Sequence, residues 1–209
     1  MKRCLGLAFL LILRIRLNLM QKDCSVVILA AGNSSRMGQL KFTLTLRDGS
    51  TFIENIVNQY VEFGCKEIIV VVNKRGMEYL SDHPLKAVTI VMNQHPEYER
   101  FYSVKTGLSK IENNNPIFIH NVDNPYANKE VLEVLFANKG KADFIKPIFN
   151  TMGGHPILIS KGIANDIVLN NNYDIHLNDF LRNYSRKKIE VDDEKILVNV
   201  NLESDYRKL

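Results

Sequence analysis

Near its amino end the chain reads Ser25-Val26-Val27-Ile28-Leu29-Ala30-Ala31-Gly32-Asn33-Ser34-Ser35-Arg36-Met37-Gly38-Gln39-Leu40-Lys41. The apolar, β-branched start of this segment predicts a buried strand. Two glycines and two serines follow, and such small residues leave backbone N–H groups able to close around an anion. Arg36 and Lys41 add the positive charge that a triphosphate requires. The segment therefore predicts a strand that opens into a phosphate-binding loop.

Two common phosphate-loop motifs do not fit this loop. A P-loop has four residues between its glycines and a lysine directly after the second. Here five residues separate Gly32 from Gly38, and Gln39 follows. The dinucleotide-binding fingerprint requires a middle glycine, whose place is taken by Ser34 or Ser35. A dinucleotide-dependent oxidoreductase is therefore disfavoured, and a solvated strand-to-helix turn is the alternative to a phosphate site.

Composition indicates an ordinary globular protein. The chain has 209 residues, of which 45% are hydrophobic and 24% charged, and this length suits one α/β domain. Its net charge of +4 is too small to indicate a nucleic-acid partner. Cys4, Cys24 and Cys65 form neither a CxxC pair nor a metal-ligand spacing with the histidines. This pattern argues against a disulfide scaffold or a zinc site and favours a reducing, cytoplasmic setting.

The first nineteen residues differ in character from the rest of the chain. Lys2 and Arg3 precede an apolar run that ends at Leu13 and is similar to the start of a signal peptide. The run is too short to span a bilayer, and arginines follow it. We therefore expect no stable membrane insertion. We interpret residues 1–19 as an apolar extension or the product of an upstream start, ahead of a domain spanning residues 20–209.

Short apolar strands alternate with amphipathic helices along most of the chain. Apolar residues at helical spacing predict a helix over 52–63, capped by Thr51. Apolar runs rich in β-branched residues predict strands at 67–72, 116–119 and, near the carboxyl end, 197–200. This alternation predicts a single Rossmann-like α/β domain, in which helices cover both faces of a mainly parallel sheet to give three layers.

A carboxylate lies where such sheets bind their ligands. Ligands sit beyond the carboxyl ends of the strands, and Asp123 follows the strand predicted at 116–119. A carboxylate there suits a Mg²⁺ ion that bridges nucleotide phosphates. An aspartate in a strand-to-helix turn also serves the turn alone. Because the phosphate-binding loop ends at the same edge, we favour the metal site and expect both to face one cleft.

The glycine-rich loop resembles the signature LxAGxSxRMGxxK of the MobA-like NTP transferases. Its Ala30-Ala31-Gly32 is similar to the molybdenum cofactor cytidylyltransferase branch, whereas the guanylyl branch has Ala-Gly-Gly. The resemblance extends from Val26 to the carboxyl end and implies the nucleotide-diphospho-sugar transferase type of fold. It implies that a phosphorylated small-molecule acceptor attacks the α-phosphorus of an NTP, with CTP expected, so that pyrophosphate leaves. Mg²⁺ is the implied cofactor.

The resemblance assigns catalytic roles to Arg36, Lys41 and Asp123. The segment Val122-Asp123-Asn124-Pro125 matches the family's Asp-x-Pro, and Asn201 matches the second asparagine of its Asn-x-Asn, so that Asp123 and Asn201 are the implied metal ligands. The residues implied to bind the nucleotide are Leu29, Ala30, Ala31, Gly32, Ser34, Ser35, Arg36, Lys41, Asn93 and Ser103.

The acceptor side is less defined. Gly154-His155-Pro156 matches a Gly-His-Pro element of the cytidylyltransferase branch, which implies that Gly154 and His155 contact the acceptor. On the residues alone, helix capping is the alternative for Ser103 and for Asn201, and a structural turn is the alternative for His155. The branch's Gly-Asp-x-Gly-Ala-Arg segment is replaced at 176–182 by a sequence without glycine. Transfer to molybdopterin, transfer to a sugar phosphate or phospho-alcohol, and nucleotide binding without turnover therefore stay open, as does the oligomeric state.

Overall fold

A computed structural model describes residues 21–34, 37–95, 97–98, 100–173 and 175–209 of the chain. The predictions made for residues 1–19 fall outside these ranges. Within them, no helix combines the length and the apolar character that crossing a membrane requires.

The strands are β1 (Lys22–Ala30), β2 (Cys65–Val72), β3 (Thr89–Met92), β4 (Ile117–Asn121), β5 (Phe144–Phe149), β6 (Met152–Gly153), β7 (Ile157–Ile159) and β8 (Arg186–Glu190). Across the described residues they form one sheet in the order β3-β2-β1-β4-β7-β5-β6, with β8 beside β5. Strands β3, β2, β1 and β4 are parallel, which confirms the prediction for the core of the sheet. Strand β7 is antiparallel to both β4 and β5, whereas β8 is parallel to β5.

Seven α-helices are described: α1 (Phe52–Phe63), α2 (Lys74–Asp82), α3 (Arg100–Leu108), α4 (Lys129–Ala137), α5 (Lys161–Leu169), α6 (Leu177–Leu181) and α7 (Glu203–Tyr206). Successive side chains of a strand point to opposite faces of its sheet. Val26 and Ile28 of β1 therefore pack into one core with α1 and α4, whereas Val27 and Leu29 pack into a second core with α3 and α5. These two cores give the predicted three layers.

Helix α1 has the predicted bounds because both of its ends are specified locally. The Thr51 side chain accepts from the Glu54 backbone N–H, while the Glu54 carboxylate accepts from the Thr51 backbone N–H, which forms a capping box. Gly64 ends the helix in a left-handed conformation with φ of 93°. Phe52, Ile56 and Tyr60 are fully buried along one stripe, which anchors the helix to the sheet.

The strand predicted at 197–200 is wrong. Residues Glu194–Leu197 form a 3₁₀ helix, and no strand follows it. The Val198 N–H donates to the Lys195 carbonyl, and the Val200 N–H donates to the Asp123 carbonyl at 2.8 Å. These backbone groups are therefore used by a turn and by a contact with a loop instead of a ladder. Val200 is nevertheless buried, which explains the apolar pattern that favoured a strand.

Replacing Gly107 of α3 with alanine is expected to destabilise the domain. A Cβ atom there would lie 2.3 Å from Cγ1 of Val27 and 2.8 Å from Cγ2 of Val71, so the helix has to move away from the sheet. Overpacking of this kind costs about 1–3 kcal/mol, more than the ~1 kcal/mol that alanine gains in helix propensity. Urea unfolding of Gly107→Ala measures the difference.

The matched control is Gly162→Ala in α5, where the nearest atom to an added Cβ is Oγ of Ser160 at 3.6 Å. We expect this variant to be as stable as the wild type or slightly more stable. Equal stability of the two alanine variants would contradict the close approach of α3 to β1 and β2.

Candidate functional site

A cleft of about 1130 Å³ opens at the carboxyl ends of β1 and β4. The predicted site residues that line it are Leu29, Ala30, Ala31, Gly32, Ser34, Lys41, Asn93, Ser103, Asp123, His155 and Asn201. The glycine-rich loop and Asp123 thus face the same cleft, as expected from the rule for parallel sheets. The predictions for Ser35 and Arg36 lie outside the described residues.

The glycine-rich loop is held in place by side chains on both of its sides. Ser34 has a positive φ of 49°, and its Oγ accepts a hydrogen bond from the Lys41 backbone N–H at 3.1 Å. Asn73 Nδ2 donates to the carbonyl oxygens of Ala31 and Gly32, at 3.3 Å each. Sequence reasoning did not find Asn73, although this residue directly follows β2 at the same edge of the sheet.

Lys41 and Asn201 meet at the cleft although they are 160 positions apart in the chain. The Lys41 Nζ donates to Oδ1 of Asn201 at 2.8 Å. Asn201 does not cap helix α7, whose N-cap position is Leu202. Instead, the Asp205 carboxylate accepts from the backbone N–H groups of Asn201 and Leu202, at 3.0 and 2.9 Å. This leaves the Asn201 amide directed toward the glycine-rich loop.

Asp123 is partly buried, and two cations lie near enough to act on its carboxyl group. Burial raises the pKa of its carboxyl group, while the positive charges of Arg100 and Lys41 oppose that rise. Its carbonyl oxygen accepts from the Val200 N–H at 2.8 Å, so the loop that bears it is tied to the carboxyl-terminal segment. No motif singled out Arg100, which lies in the first turn of helix α3.

A buried polar chain fixes the loop that follows β4. The Tyr60 hydroxyl donates to Nδ1 of His120 at 3.0 Å, and Nε2–H of His120 donates to the Asn124 carbonyl at 2.8 Å. Burial lowers the pKa of His120 to about 4, so the ring is neutral as these two bonds require. Asn124 Nδ2 in turn donates to the carbonyl oxygens of Lys195 and Ile196. His120, to which no motif gave a role, is a structural residue.

Asn93 and Ser103 form one buried pair in the cleft wall. The Asn93 Nδ2 donates to Oγ of Ser103 at 2.9 Å, and its Oδ1 accepts from the His95 N–H at 2.8 Å. Ser103 lies inside α3 and not at its start, so it does not cap this helix. The capping alternative for Ser103 is therefore wrong.

Gly154 and His155 differ in where they lie. An added Cβ at Gly154 would meet the Ile196 carbonyl oxygen at 2.5 Å, so this glycine allows two backbone segments to pack closely, and it is not among the residues lining the cleft. His155 does line the cleft, and its Nε2 accepts from Asn121 Nδ2 at 3.2 Å. Burial lowers the pKa of His155 to about 3, helped by the charges on Arg100 and Lys146. Its imidazole is therefore neutral, with the proton on Nδ1.

The donor groups at the cleft suit a hard divalent cation that arrives with a nucleotide. Within the described residues there is no cluster of three or more His, Cys, Asp or Glu side chains that could enclose a metal. The Asp123 carboxylate and the Asn201 amide oxygen supply two oxygen donors. Mg²⁺ is typically held by one or two carboxylates together with substrate phosphates and water, so this small donor set fits it.

Acid is expected to destabilise the fold because two buried imidazoles must then be protonated. The folded-state pKa values are about 4 for His120 and about 3 for His155, against an ordinary value of 6.5. The stability that the neutral rings contribute is complete above pH 6.5 and is lost as the pH falls through the folded-state values. For His120 this amounts to about 3 kcal/mol.

Urea unfolding at intervals from pH 7 to pH 4 measures this loss. We expect the free energy of unfolding to fall less steeply with acid in His120→Gln than in the wild type. The same slope in both proteins would show that His120 is not buried in the neutral form.

Comparison with known proteins finds relatives that match this chain over most of its length. A sequence profile of the MobA-like NTP transferase domain matches residues 26–188. The molybdenum cofactor cytidylyltransferase of Escherichia coli strain K12 is 26% identical over 186 residues, which cover 88% of this chain and 93% of that protein.

Two solved structures illustrate the likeness in fold. Rv0371c from Mycobacterium tuberculosis H37Rv, in complex with manganese, has a TM-score of 0.74 at 18% identity, covering 90% of this chain and 98% of that one. The 4-diphosphocytidyl-2C-methyl-D-erythritol synthase of Anaerococcus prevotii DSM 20548 has a TM-score of 0.68 at 14% identity, covering 90% and 94%. The predicted single α/β domain of the nucleotide-diphospho-sugar transferase fold is confirmed.

Proposed function

Because the chain belongs to the MobA-like NTP transferase family and is a nucleotidyltransferase, we propose that it transfers a cytidylyl group from CTP to the phosphate of the molybdopterin cofactor. The observation that supports this most is the meeting of Lys41 and Asn201 at the cleft that also holds Asp123. The E. coli relative bears this activity in its name. The proposal implies a cytoplasmic protein, because CTP is available there.

The reaction requires no side-chain base, since a phosphate nucleophile is already ionised. An oxygen of the acceptor phosphate forms a bond to the α-phosphorus of CTP. The bond from the α-phosphorus to the bridging oxygen breaks, and pyrophosphate leaves with the electron pair. Catalysis is then mostly the positioning of the two phosphates and the neutralisation of their charge. Lys41 and Arg36 serve the second purpose on the leaving pyrophosphate, with Arg100 beside Asp123 adding to it.

The proposed nucleotide site consists of Leu29, Ala30, Ala31, Gly32, Ser34, Ser35, Arg36, Lys41, Asn93 and Ser103. Asn73 supports the loop by its hydrogen bonds to Ala31 and Gly32. Asp123 and Asn201 are the proposed ligands of Mg²⁺. When bound, this ion would supply positive charge that offsets the phosphates in the transition state.

A second candidate acceptor is a sugar phosphate or a phospho-alcohol. The replaced segment at 176–182 carries helix α6, and His176, Leu177, Asn178 and Leu181 line the cleft there. An acceptor wall of this composition differs from the glycine-containing segment of the cytidylyltransferase branch. The chemistry would be unchanged, and only the acceptor would differ.

A pyrophosphate-release assay with Mg²⁺ tests both candidates. CTP and GTP are each combined with molybdopterin and with a panel of phosphorylated sugars and alcohols. Release with CTP and molybdopterin is the expected result. Release with another acceptor alone would move the enzyme to the second candidate, and no release in any combination would refute the proposed function.

Asp123→Ala is expected to reduce pyrophosphate release by at least about a thousand-fold, or about 4 kcal/mol of transition-state stabilisation, because a metal ligand is lost. The fold should persist, since the Asp123 backbone carbonyl still accepts from Val200. The matched control is Asp82→Ala, an exposed aspartate at the end of α2, which should leave turnover unchanged. Full Mg²⁺-dependent turnover in Asp123→Ala would refute the metal assignment.

Lys41→Met is expected to weaken nucleotide binding by about ten-fold, because a charge-assisted hydrogen bond to phosphate is removed. Titration calorimetry with α,β-methylene-CTP, whose α–β linkage resists cleavage, measures the affinity without turnover. Lys86→Met removes an exposed lysine outside the cleft and serves as the control. An affinity of Lys41→Met equal to that of the control would count against the phosphate-binding loop.

A further inference from the structure

One side chain holds helix α7 against the segment that follows Lys41. The Tyr206 hydroxyl donates a hydrogen bond to the Thr45 carbonyl oxygen at 2.8 Å and lies 3.3 Å from Oγ1 of the same residue. The Tyr206 ring makes an edge contact with the ring of Phe52, which is fully buried, at a centroid distance of 6.0 Å. Tyr206 therefore joins the carboxyl-terminal helix to the residues that precede and begin α1.

A short, hydrogen-bonded stretch of backbone connects Thr45 to Lys41. Residues Lys41–Thr43 form a 3₁₀ helix. The Leu44 N–H donates to the Lys41 carbonyl oxygen at 3.1 Å, and the Leu44 carbonyl oxygen accepts from the Phe52 N–H at 2.8 Å. A contact made at Thr45 therefore also restrains the backbone that bears the Lys41 side chain.

The same turn of α7 holds Asn201. Asp205, the residue before Tyr206, accepts hydrogen bonds from the backbone N–H groups of Asn201 and Leu202. The Asn201 side chain in turn accepts from Lys41 Nζ at 2.8 Å. Two neighbouring residues of α7 thus contact the two segments whose side chains meet at the cleft.

Tyr206 and Thr45 are not among the described residues that line the cleft, so Tyr206 acts on a ligand there through other residues. Binding orders the groups that contact a ligand, and less freedom is lost when the protein already holds them in place. We infer that Tyr206 is a positioning residue, whose hydroxyl keeps the Lys41 segment against the Asn201 segment so that both face the triphosphate and its metal ion. This inference rests on the proposed function, which assigns the phosphates to Lys41 and the metal ion to Asn201.

Tyr206→Phe keeps the ring against Phe52 and removes only the hydroxyl donor. We expect this variant to bind α,β-methylene-CTP, in the presence of Mg²⁺, about five-fold more weakly than the wild type, which is the effect of one hydrogen bond. Titration calorimetry measures the affinity. Thermal unfolding should show a folded variant with a midpoint within about 4 °C of the wild type, because the hydrogen bond that is lost is an exposed one.

The double variant Tyr206→Phe/Lys41→Met separates positioning from simple anchoring of the chain end. If Tyr206 acts through Lys41, removal of its hydroxyl has little left to affect once the lysine is gone. The double variant should then bind the analogue within about two-fold of Lys41→Met. A further loss of about five-fold in that background would show that the two residues act independently, which would overturn the inference.

Tyr79→Phe is the matched control, because it also removes only a hydroxyl group. The Tyr79 ring in α2 makes a similar edge contact with a buried phenylalanine, Phe42, at a centroid distance of 5.7 Å. This variant should bind the analogue like the wild type. An equal loss of affinity in Tyr79→Phe and Tyr206→Phe would contradict a specific role for Tyr206.

Failure of the inference and failure of the proposed function give different results. A wild-type protein that binds no nucleotide analogue would refute the proposed nucleotide site and this inference with it. A wild-type protein that binds the analogue, and whose affinity is unchanged in Tyr206→Phe, would overturn the inference alone.

Discussion

The carbonyl oxygen of Ile196 holds the two sides of the cleft at a fixed distance. It accepts hydrogen bonds from Asn124 Nδ2 and from the His155 N–H, both at 3.0 Å, and Gly154 packs against it. One of these loops carries Asp123, and the other faces the acceptor side. Asn124 is fully buried, so an unsatisfied group there would cost about 1–3 kcal/mol. The Ile196 carbonyl thus joins the loop that carries Asp123 to the loop that carries His155, beside the direct hydrogen bond from Asn121 Nδ2 to the His155 ring.

The polar groups behind this atom have defined protonation states. His120 is neutral because it is buried, and its two ring nitrogens are used by Tyr60 and by the Asn124 carbonyl. A buried polar network whose members are satisfied gives rigidity to the loop that it holds. The charged side chains of Lys41, Arg100 and Asp123 line the cleft itself. The site thus places cations and a carboxylate on a neutral, well-ordered support.

Sequence reasoning placed at the cleft some of the residues that follow a strand, but not all of them. The glycine-rich loop after β1 and Asp123 after β4 were predictable, because parallel strands deliver their carboxyl ends to one edge. Asn73 also follows a strand but was missed, because its hydrogen bonds to Ala31 and Gly32 join segments far apart in the chain and no local pattern records them. The strand predicted at 197–200 failed because burial alone does not make a strand: Val200 is buried, but the backbone N–H groups of Val198 and Val200 donate to a turn and to a loop.

Strand β7 runs antiparallel to β4, and the two walls of the cleft come from different parts of the chain on either side of this pairing. Residues before β5 form most of the wall at which the nucleotide is proposed to bind, with Asn201 returning to it at the end. Residues from β5 to β8 form the opposite wall, and they join the parallel strands through the antiparallel pairing of β7 with β4. The hydrogen bonds that hold the glycine-rich loop lie within the first wall, so mutations in the second wall leave them in place. Related chains can therefore differ in their acceptor while they keep the residues that are proposed to bind the triphosphate.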